Sequence, residues 1–273
     1  MENPRIAFIG AGNMARSIIS GLIAEGVDPK RISASGPRRE NLESVAVQFG
    51  IDVATDNQQL ARTADVVILA VKPQVLKAVA LELRPALDHK PLIISVAAGI
   101  TTESLGRWLG ETQAIVRCMP NTPSQLRVGA SGLFANAQVT EAQRGLAERI
   151  LAAVGVVQWL TDERQVDAVT AVSGSGPAYF FLMMEAMIDA GVELGLTREC
   201  AAELTMQTAL GAALLAKNSE VDVAELRRRV TSPKGTTEQA IASFEQDNIR
   251  AIFQRAMTAC AARAVTLSEQ LGQ

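Results

Sequence analysis

The side chains that most often carry out chemistry are scarce in this chain. Among its 273 residues there is one histidine, one tyrosine and three cysteines. The histidine, His89, lies in the polar connection DHKP and reads as a surface residue. The tyrosine, Tyr179, lacks the lysine four positions on that would lower its pKa, since Met183 stands there. Cys118, Cys200 and Cys260 are few, far apart and odd in number, which argues against a disulfide framework or a zinc site. No metal is expected, and a reducing cytoplasm is the expected location. Charge of one sign is also missing. Lys and Arg total 26 against 29 Asp and Glu, a formal net charge of -3, so no basic field draws the chain to nucleic acid or a membrane surface. Small acidic ligands must then be held by local charges and backbone donors. The most apolar stretch, AYFFLMMEAMIDAGVELG, carries Glu185, Asp189 and Glu193, and reads as a buried or interfacial helix rather than a membrane span. The opening MENPRIAFIG enters a β-like run at once, with no basic segment or cleavage pattern, so export is not expected.

What is present is a rhythm. From Arg5 to about Trp159, short apolar or β-branched runs alternate with helical patterns: RIAFIG, RISAS, DVVILAV, PLIISVA, QAIVRCM and VGVVQWL. That alternation predicts an α/β domain with a parallel sheet, and runs apolar throughout fit a sheet covered on both faces. The first turn, IGAGNMA, places Gly10, Gly12 and Ala15 in the pattern G-x-G-x-x-A between a strand and a helix. Such glycines let the backbone approach a pyrophosphate that rests on the helix N-terminus, and the context makes this a dinucleotide-binding turn of Rossmann type. The alternative is a glycine turn that only packs helix on strand. The second strand ends in SASGPRREN, where an NAD site would carry a carboxylate. Ser33, Ser35, Arg38 and Arg39 offer hydroxyl and guanidinium donors instead, which suits the 2′-phosphate of NADP; the two arginines could also lie on a solvated first turn. AVKPQ leaves Lys72 at a strand's carboxyl end with Pro73 opening a helix, and VAAG and RCMPNTP reach the same edge.

Beyond about Thr161 the strand rhythm stops, so the chain divides into residues 1–160 and a helical domain of 161–273. Helices are expected over Tyr179 to Leu194, Arg198 to Lys217, Val223 to Arg229 and Ile249 to Leu271. Their apolar positions are often Ala or Met, a thin core for a domain by itself, which points to packing between subunits. Two segments interrupt them. SGSGPAY is expected to break one helix and restart another at Pro177, and VTSPKGTTEQAI to turn at Ser232 and Pro233, loosen at Gly235 and cap the next helix with Thr236 or Thr237. Capping alone would account for either; together they suggest a site for a carboxylate. An alcohol dehydrogenase needs a base, and the sequence offers only Lys72 as a candidate. A protonated C=N bond already carries the charge that draws a hydride, so positioning and one hydrogen-bonding group could suffice.

IGAGNMA, AVKP, SGSGPAY and VTSPKGTTEQAI, in this order over essentially the whole chain, resemble the pyrroline-5-carboxylate reductase family. The resemblance implies NADPH-dependent reduction of 1-pyrroline-5-carboxylate to L-proline, with NADH as a possible second donor. It also implies a Rossmann domain, a helical dimerisation domain exchanged between partners, and decamers built from dimers. By matched motif, the pyrophosphate would lie on Gly10, Ala11, Gly12, Asn13 and Met14, the 2′-phosphate near Ser35, Pro37 and Arg38, and the adenosine by Asn57. Val71, Lys72, Pro73 and Ala98 would flank the nicotinamide half. For substrate the matching positions are Ser175, Gly176, Lys234, Gly235, Thr236 and Thr237, with Thr237 hydrogen-bonding the ring nitrogen and Glu163 and Glu220 close by. Lys234 departs from the glycine that many members carry. The rival expectations are a β-hydroxyacid or ketopantoate reductase on the same plan and a non-catalytic NADPH-sensing protein.

Overall fold

The computed structural model describes residues 3–273. Their contacts form two units, one running to Ser175 and including Cys260–Gln273, the other Gly176–Ala259. The first is built on an eight-stranded sheet in the order β3-β2-β1-β4-β5-β6-β7-β8. Its strands are β1 (Ile6–Ile9), β2 (Ile32–Ser35), β3 (Asp52–Ala54), β4 (Val66–Leu69), β5 (Leu92–Ser95), β6 (Ile115–Met119), β7 (Gly129–Ala135) and β8 (Gly155–Trp159). The helices between them are α1 (Asn13–Ala24), α2 (Arg39–Phe49), α3 (Asn57–Ala61), α4 (Pro73–Leu83), α5 (Thr102–Leu109) and α6 (Glu141–Ala152). A further short helix, α7 (Gln165–Val169), follows β8.

Strand alternation builds two cores. Ile6 and Phe8 of β1 face one side, with Ile18, Ile19 and Leu22 of α1, Val45 of α2 and Ile150 of α6. Ala7 and Ile9 face the other, with Leu76 and Ala80 of α4 and Leu105 and Trp108 of α5. Both faces are therefore covered, which is why β1, β4 and β5 are buried at every residue. Because β1 pairs in parallel with both β2 and β4, the chain reverses direction of growth beside β1. Open α/β sheets bind ligands at such a point, outside the carboxyl ends of the strands.

The sheet is not parallel throughout. β7 runs antiparallel to β6, with Val116 opposite Ala135, and β8 runs parallel to β7. The connection from β6 to β7 contains only a 3-10 turn at Thr122–Leu126, too short for the crossover that a parallel pair needs.

In the second unit, α8 (Gly176–Glu193), α9 (Arg198–Lys217), α10 (Val223–Arg229) and α11 (Thr236–Gln246) follow one another, and α12 (Ile249–Leu271) leaves it at Cys260. Gly191 of α8 lies so close to α9 that an added Cβ would stand 3.1 Å from the Ala201 Cβ. Phe180, Phe181, Leu182, Met206 and Leu210 are all more than half exposed in the single chain, an apolar surface of the kind that subunit association covers.

SGSGPAY interrupts the helix as expected, through a π turn and a bend, with the new helix opening one residue before Pro177. Thr170–Gly174 form a π turn between α7 and α8, the Ser175 N–H donates to the Thr170 carbonyl at 2.8 Å, and α8 starts at Gly176. Gly174 serves packing here, since a Cβ on it would lie 2.5 Å from the Met119 Cε, whereas one on Gly176 would meet nothing within 4 Å. The unit containing the sheet extends to Ser175, beyond the division at 160, because α7 and the π turn pack on β6 and β7.

Candidate active site

The turn after β1 has the form a pyrophosphate needs. Gly10 takes φ +105, a conformation that side chains rarely adopt, and an added Cβ would meet the Ala70 carbonyl oxygen at 2.7 Å. Its N–H donates to the Ser35 carbonyl at 3.0 Å, so the ends of β1, β2 and β4 converge on this residue. Ala11 is buried, Gly12 and Asn13 are exposed, and Met14 packs partly into the core. Gly12 stands at the N-cap of α1 with no side-chain cap, no acidic residue follows in the first turn, and a Cβ on Gly12 would meet nothing within 4 Å. The helix therefore presents uncapped N–H groups and its positive end to open space. These residues fit a dinucleotide.

At the end of β2 the expectation for Ser35 requires correction. Its hydroxyl is fully buried and donates to the Asn57 Oδ1 at 2.7 Å, so it orients Asn57 instead of reaching a phosphate. Pro37 and Arg38 are exposed beyond it, and Arg38 forms no ion pair among the described residues. Arg39 lies 3.8 Å from Glu43 across an exposed helix turn. On the same edge of the sheet Val71 is half-buried, Lys72 is the exposed N-cap of α4 with Pro73 at its first position, and Ala98 is exposed between buried Ala97 and Gly99.

Composition gave no warning of the group beneath that edge. The Arg117 side chain in β6 is only 4% exposed and lies 3.2 Å from the Glu163 Oε1 and 3.6 Å from the Asp167 Oδ1. Glu163 spends its other interactions on Thr102, accepting from the N–H and from Oγ1, each at 2.7 Å. One cation thus serves two carboxylates. Burial pushes the Asp167 carboxyl above its usual range, Arg117 opposes that push, and Glu163 adds to it. A signal for the cluster did exist: a lone arginine inside the apolar strand IVRCM has to be paired, and DERQVDAV supplies the acids. Next to it, the Asn121 side chain accepts from the Ala130 N–H at 2.9 Å and donates to the Ser173 carbonyl at 3.0 Å, tying RCMPNTP to the π turn. Cys118 is no nucleophile, because burial pushes its thiol up to about 12. His89 is exposed and bonds the Ala64 carbonyl at 2.9 Å. Ser175 Oγ is 3.3 Å from the Cys260 Sγ.

In the helical unit, Gly176 is buried at the head of α8, and Glu220 lies exposed between α9 and α10. Ser232–Gly235 is a tight turn closed by the Gly235 N–H on the Ser232 carbonyl at 3.0 Å, with Lys234 at φ 60. Pro at the second place and a positive φ at the third define a type II turn, where glycine or asparagine is the ordinary occupant. Lys234 is held there by its own N–H, which donates to Glu238 Oε2 at 2.7 Å. The expected threonine cap is absent. Gly235 is the N-cap without a side-chain bond, and Thr236 and Thr237 are the first two residues of α11. Both are exposed, and neither hydroxyl forms a hydrogen bond among the described residues. Their N–H groups have no partner one turn back, so this helix head also presents donors. Because a β-branched side chain is poorly accommodated at positive φ, Lys234→Val is expected to cost about 1–2 kcal/mol in urea unfolding, and Lys234→Gly at most a few tenths. Equal midpoints for the two variants would contradict the turn assignment.

The helical half, residues 163–267, matches the family described as pyrroline-5-carboxylate reductase dimerisation, and residues 5–99 match NADP oxidoreductase, coenzyme F420-dependent. A pyrroline-5-carboxylate reductase of Pseudomonas aeruginosa is 59% identical over 273 residues, covering 100% of both chains. The chain belongs to the pyrroline-5-carboxylate reductase family. An Arabidopsis thaliana member is 39% identical over 269 residues, 98% of this chain and 97% of that one. The solved pyrroline-5-carboxylate reductase of Coxiella burnetii superposes with a TM-score of 0.94 at 50% identity, covering 97% of this chain and 99% of that one. The Plasmodium falciparum pyrroline carboxylate reductase, solved with NADP bound, gives 0.87 at 29% identity, with 98% and 99% covered. The Rossmann-type sheet followed by a helical dimerisation domain is thus the family's architecture, and the cofactor is a nicotinamide dinucleotide. Among the described residues, no helix of this pyrroline-5-carboxylate reductase family member is long and apolar enough to cross a membrane.

Proposed function

We propose that this chain reduces 1-pyrroline-5-carboxylate to L-proline with NADPH, the last step of proline synthesis, which is the reaction of its family. The observation that carries the reading is the loop Ser232–Thr237. It interrupts an otherwise helical half to present a free hydroxyl and uncapped N–H groups, in a chain whose other half has a glycine cradle open to a pyrophosphate. Bound on Gly10 to Met14, the dinucleotide supplies the hydride. Arg38 reads the 2′-phosphate, Asn57 borders the adenosine, and Val71, Lys72 and Ala98 flank the nicotinamide half. This makes NADPH the preferred donor and NADH the lesser one.

The substrate carboxylate is taken by the turn at Lys234 and Gly235 and by the first N–H groups of α11, with Ser175, Gly176 and Glu220 completing its surroundings. The Thr237 hydroxyl hydrogen-bonds the ring nitrogen and keeps its proton in place while the C=N carbon accepts hydride. No strong base is required, in keeping with the isolation of His89. A hydroxyacid reductase on this plan would need a lysine on the helix after Ser173, and none occurs between Ser173 and Leu215. A non-catalytic NADPH sensor would not need the second anion loop. Residues 1–160 form the NADP domain and 161–273 the dimerisation and substrate domain in this reading. The exposed apolar faces of α8 and α9 close a homodimer that assembles to a decamer in the cytoplasm.

Thr237→Ala is expected to lower kcat/KM for 1-pyrroline-5-carboxylate about 100-fold in steady-state assays with the NADPH dissociation constant unchanged. Unaltered turnover and substrate affinity would remove the hydroxyl from the mechanism.

A further inference from the structure

We infer that Glu163 is a positioning residue for hydride transfer, one that sets the height of the loop carrying Ala98. The inference rests on the nicotinamide reading of that loop and assigns Glu163 a role different from that of a substrate ligand.

The loop between β5 and α5 is held at several points. Its floor is Leu267 of α12, whose Cβ would lie 3.3 Å from a Cβ on Gly99, a residue at φ 71. Its exit is the head of α5, where the Thr101 hydroxyl accepts from the Ser104 N–H at 3.1 Å. The carboxylate of Glu163 then seizes Thr102 with both oxygens, one on the N–H and one on the hydroxyl, each at 2.7 Å. Charge-assisted bonds of this length are the strong ones. Glu163 is fixed in turn by Arg117, a buried side chain on the neighbouring strand, at 3.2 Å. The loop is thereby referenced to β6 and to the rigid sheet instead of floating at the rim.

Each oxygen of Glu163 already has a strong donor, and its side chain is only 21% exposed. A residue used in this way acts through Thr102 on the backbone that carries Ala98. Displacing a reacting group by about 1 Å costs on the order of 100-fold in rate, which is the lever such a brace controls.

The test uses the full-length protein and Glu163→Gln, with Thr102→Val as a milder variant that removes one of the two bonds and keeps the side chain's shape. With NADPH deuterated at both C4 positions, both variants are expected to show a kcat lowered at least 10-fold and 3-fold respectively. The isotope effect on kcat should be larger than in the parent, and the KM for 1-pyrroline-5-carboxylate should stay within threefold. Hydrogen exchange of the ligand-free Glu163→Gln protein should quicken at Ala97–Glu103 and not in β1, a readout independent of any substrate. A raised KM with unchanged kcat would make Glu163 a direct substrate ligand and overturn the inference, as would unchanged exchange at Ala97–Glu103. If the parent itself failed to turn over the imine, the functional reading would fall while the exchange result still judged the brace.

Discussion

Gly10→Ala is expected to lose about 3 kcal/mol of stability, whereas Gly12→Ala, two residues on, should keep the fold and lose the cofactor. The difference lies in what each Cβ would meet. At Gly10 the backbone sits at φ +105 and the new carbon would press on the Ala70 carbonyl at 2.7 Å, backbone that cannot swing aside. Left-handed strain of about 1–2 kcal/mol adds to an overpacking cost of about 1–3 kcal/mol. At Gly12 the backbone is extended, φ -79 and ψ -175, and the Cβ would enter open space. In the proposed cofactor site that space is the approach of the pyrophosphate to the α1 N-terminus, so the penalty is expected only on binding. Urea unfolding should separate the variants, with Gly12→Ala within about 0.5 kcal/mol of the parent. Calorimetric titration should show its NADP+ affinity reduced about 100-fold, roughly 2.7 kcal/mol. Full NADP+ affinity in Gly12→Ala would remove the turn from the cofactor site.

The second large effect is expected at Arg117. Arg117→Met keeps the volume of the side chain but leaves Glu163 and Asp167 in a buried setting without their cation. Breaking a buried pair from one side costs about 3–5 kcal/mol, because the orphaned charges must be carried in the fold. The pH dependence has a definite sign. Asp167 already has its folded pKa raised above the ordinary 3.8, so the folded state binds its proton more tightly than the unfolded chain does. Its contribution to stability is therefore most favourable below the ordinary value and falls as pH rises through 3.8 toward the raised folded value. Without Arg117 that displacement grows, and the deficit of Arg117→Met relative to the parent should shrink as the solution is acidified from neutrality. Asp167→Asn should be neutral or stabilising at pH 7 and lose that advantage in acid. Melting at several pH values checks both statements, and a deficit that widened toward acid would contradict the charge assignment.

How far the sequence could be read follows from the range of the forces involved. The glycine turn and the apolar strands are local features. Gly10 must adopt a backbone other residues avoid, and runs such as VVIL can be buried on both faces only in a covered sheet. β7 was hidden because GASGLFA has little strand propensity of its own; it is a strand because β6 offers an antiparallel partner. β3 was hidden by its three residues. The break at SGSGPAY was legible from its glycines and Pro177, but the π turn that makes it was not, because Gly174 packs against Met119 from a distant strand.

The site divides in the same way. The motifs that give Gly10 to Met14 and the Ser232–Thr237 loop can be read along the chain, but the bonds that commit individual side chains cannot. Ser35 was expected to offer its hydroxyl and is instead buried against Asn57. Glu163 was placed by resemblance near the substrate and is gripped by Thr102, 61 residues away in sequence. Arg117 drew no attention because the partners that define it come from beyond β8. Lys234 was placed in the substrate loop as a departure from the family, and the type II turn shows why glycine is the usual occupant.

Whether this protein transfers hydride from NADPH to a cyclic imine is decided by NADPH oxidation with 1-pyrroline-5-carboxylate, NADH being run in parallel. Rapid turnover with L-proline as product and a higher kcat/KM for NADPH than for NADH are expected. NADPH that binds but is not consumed with this imine would contradict the proposed reaction.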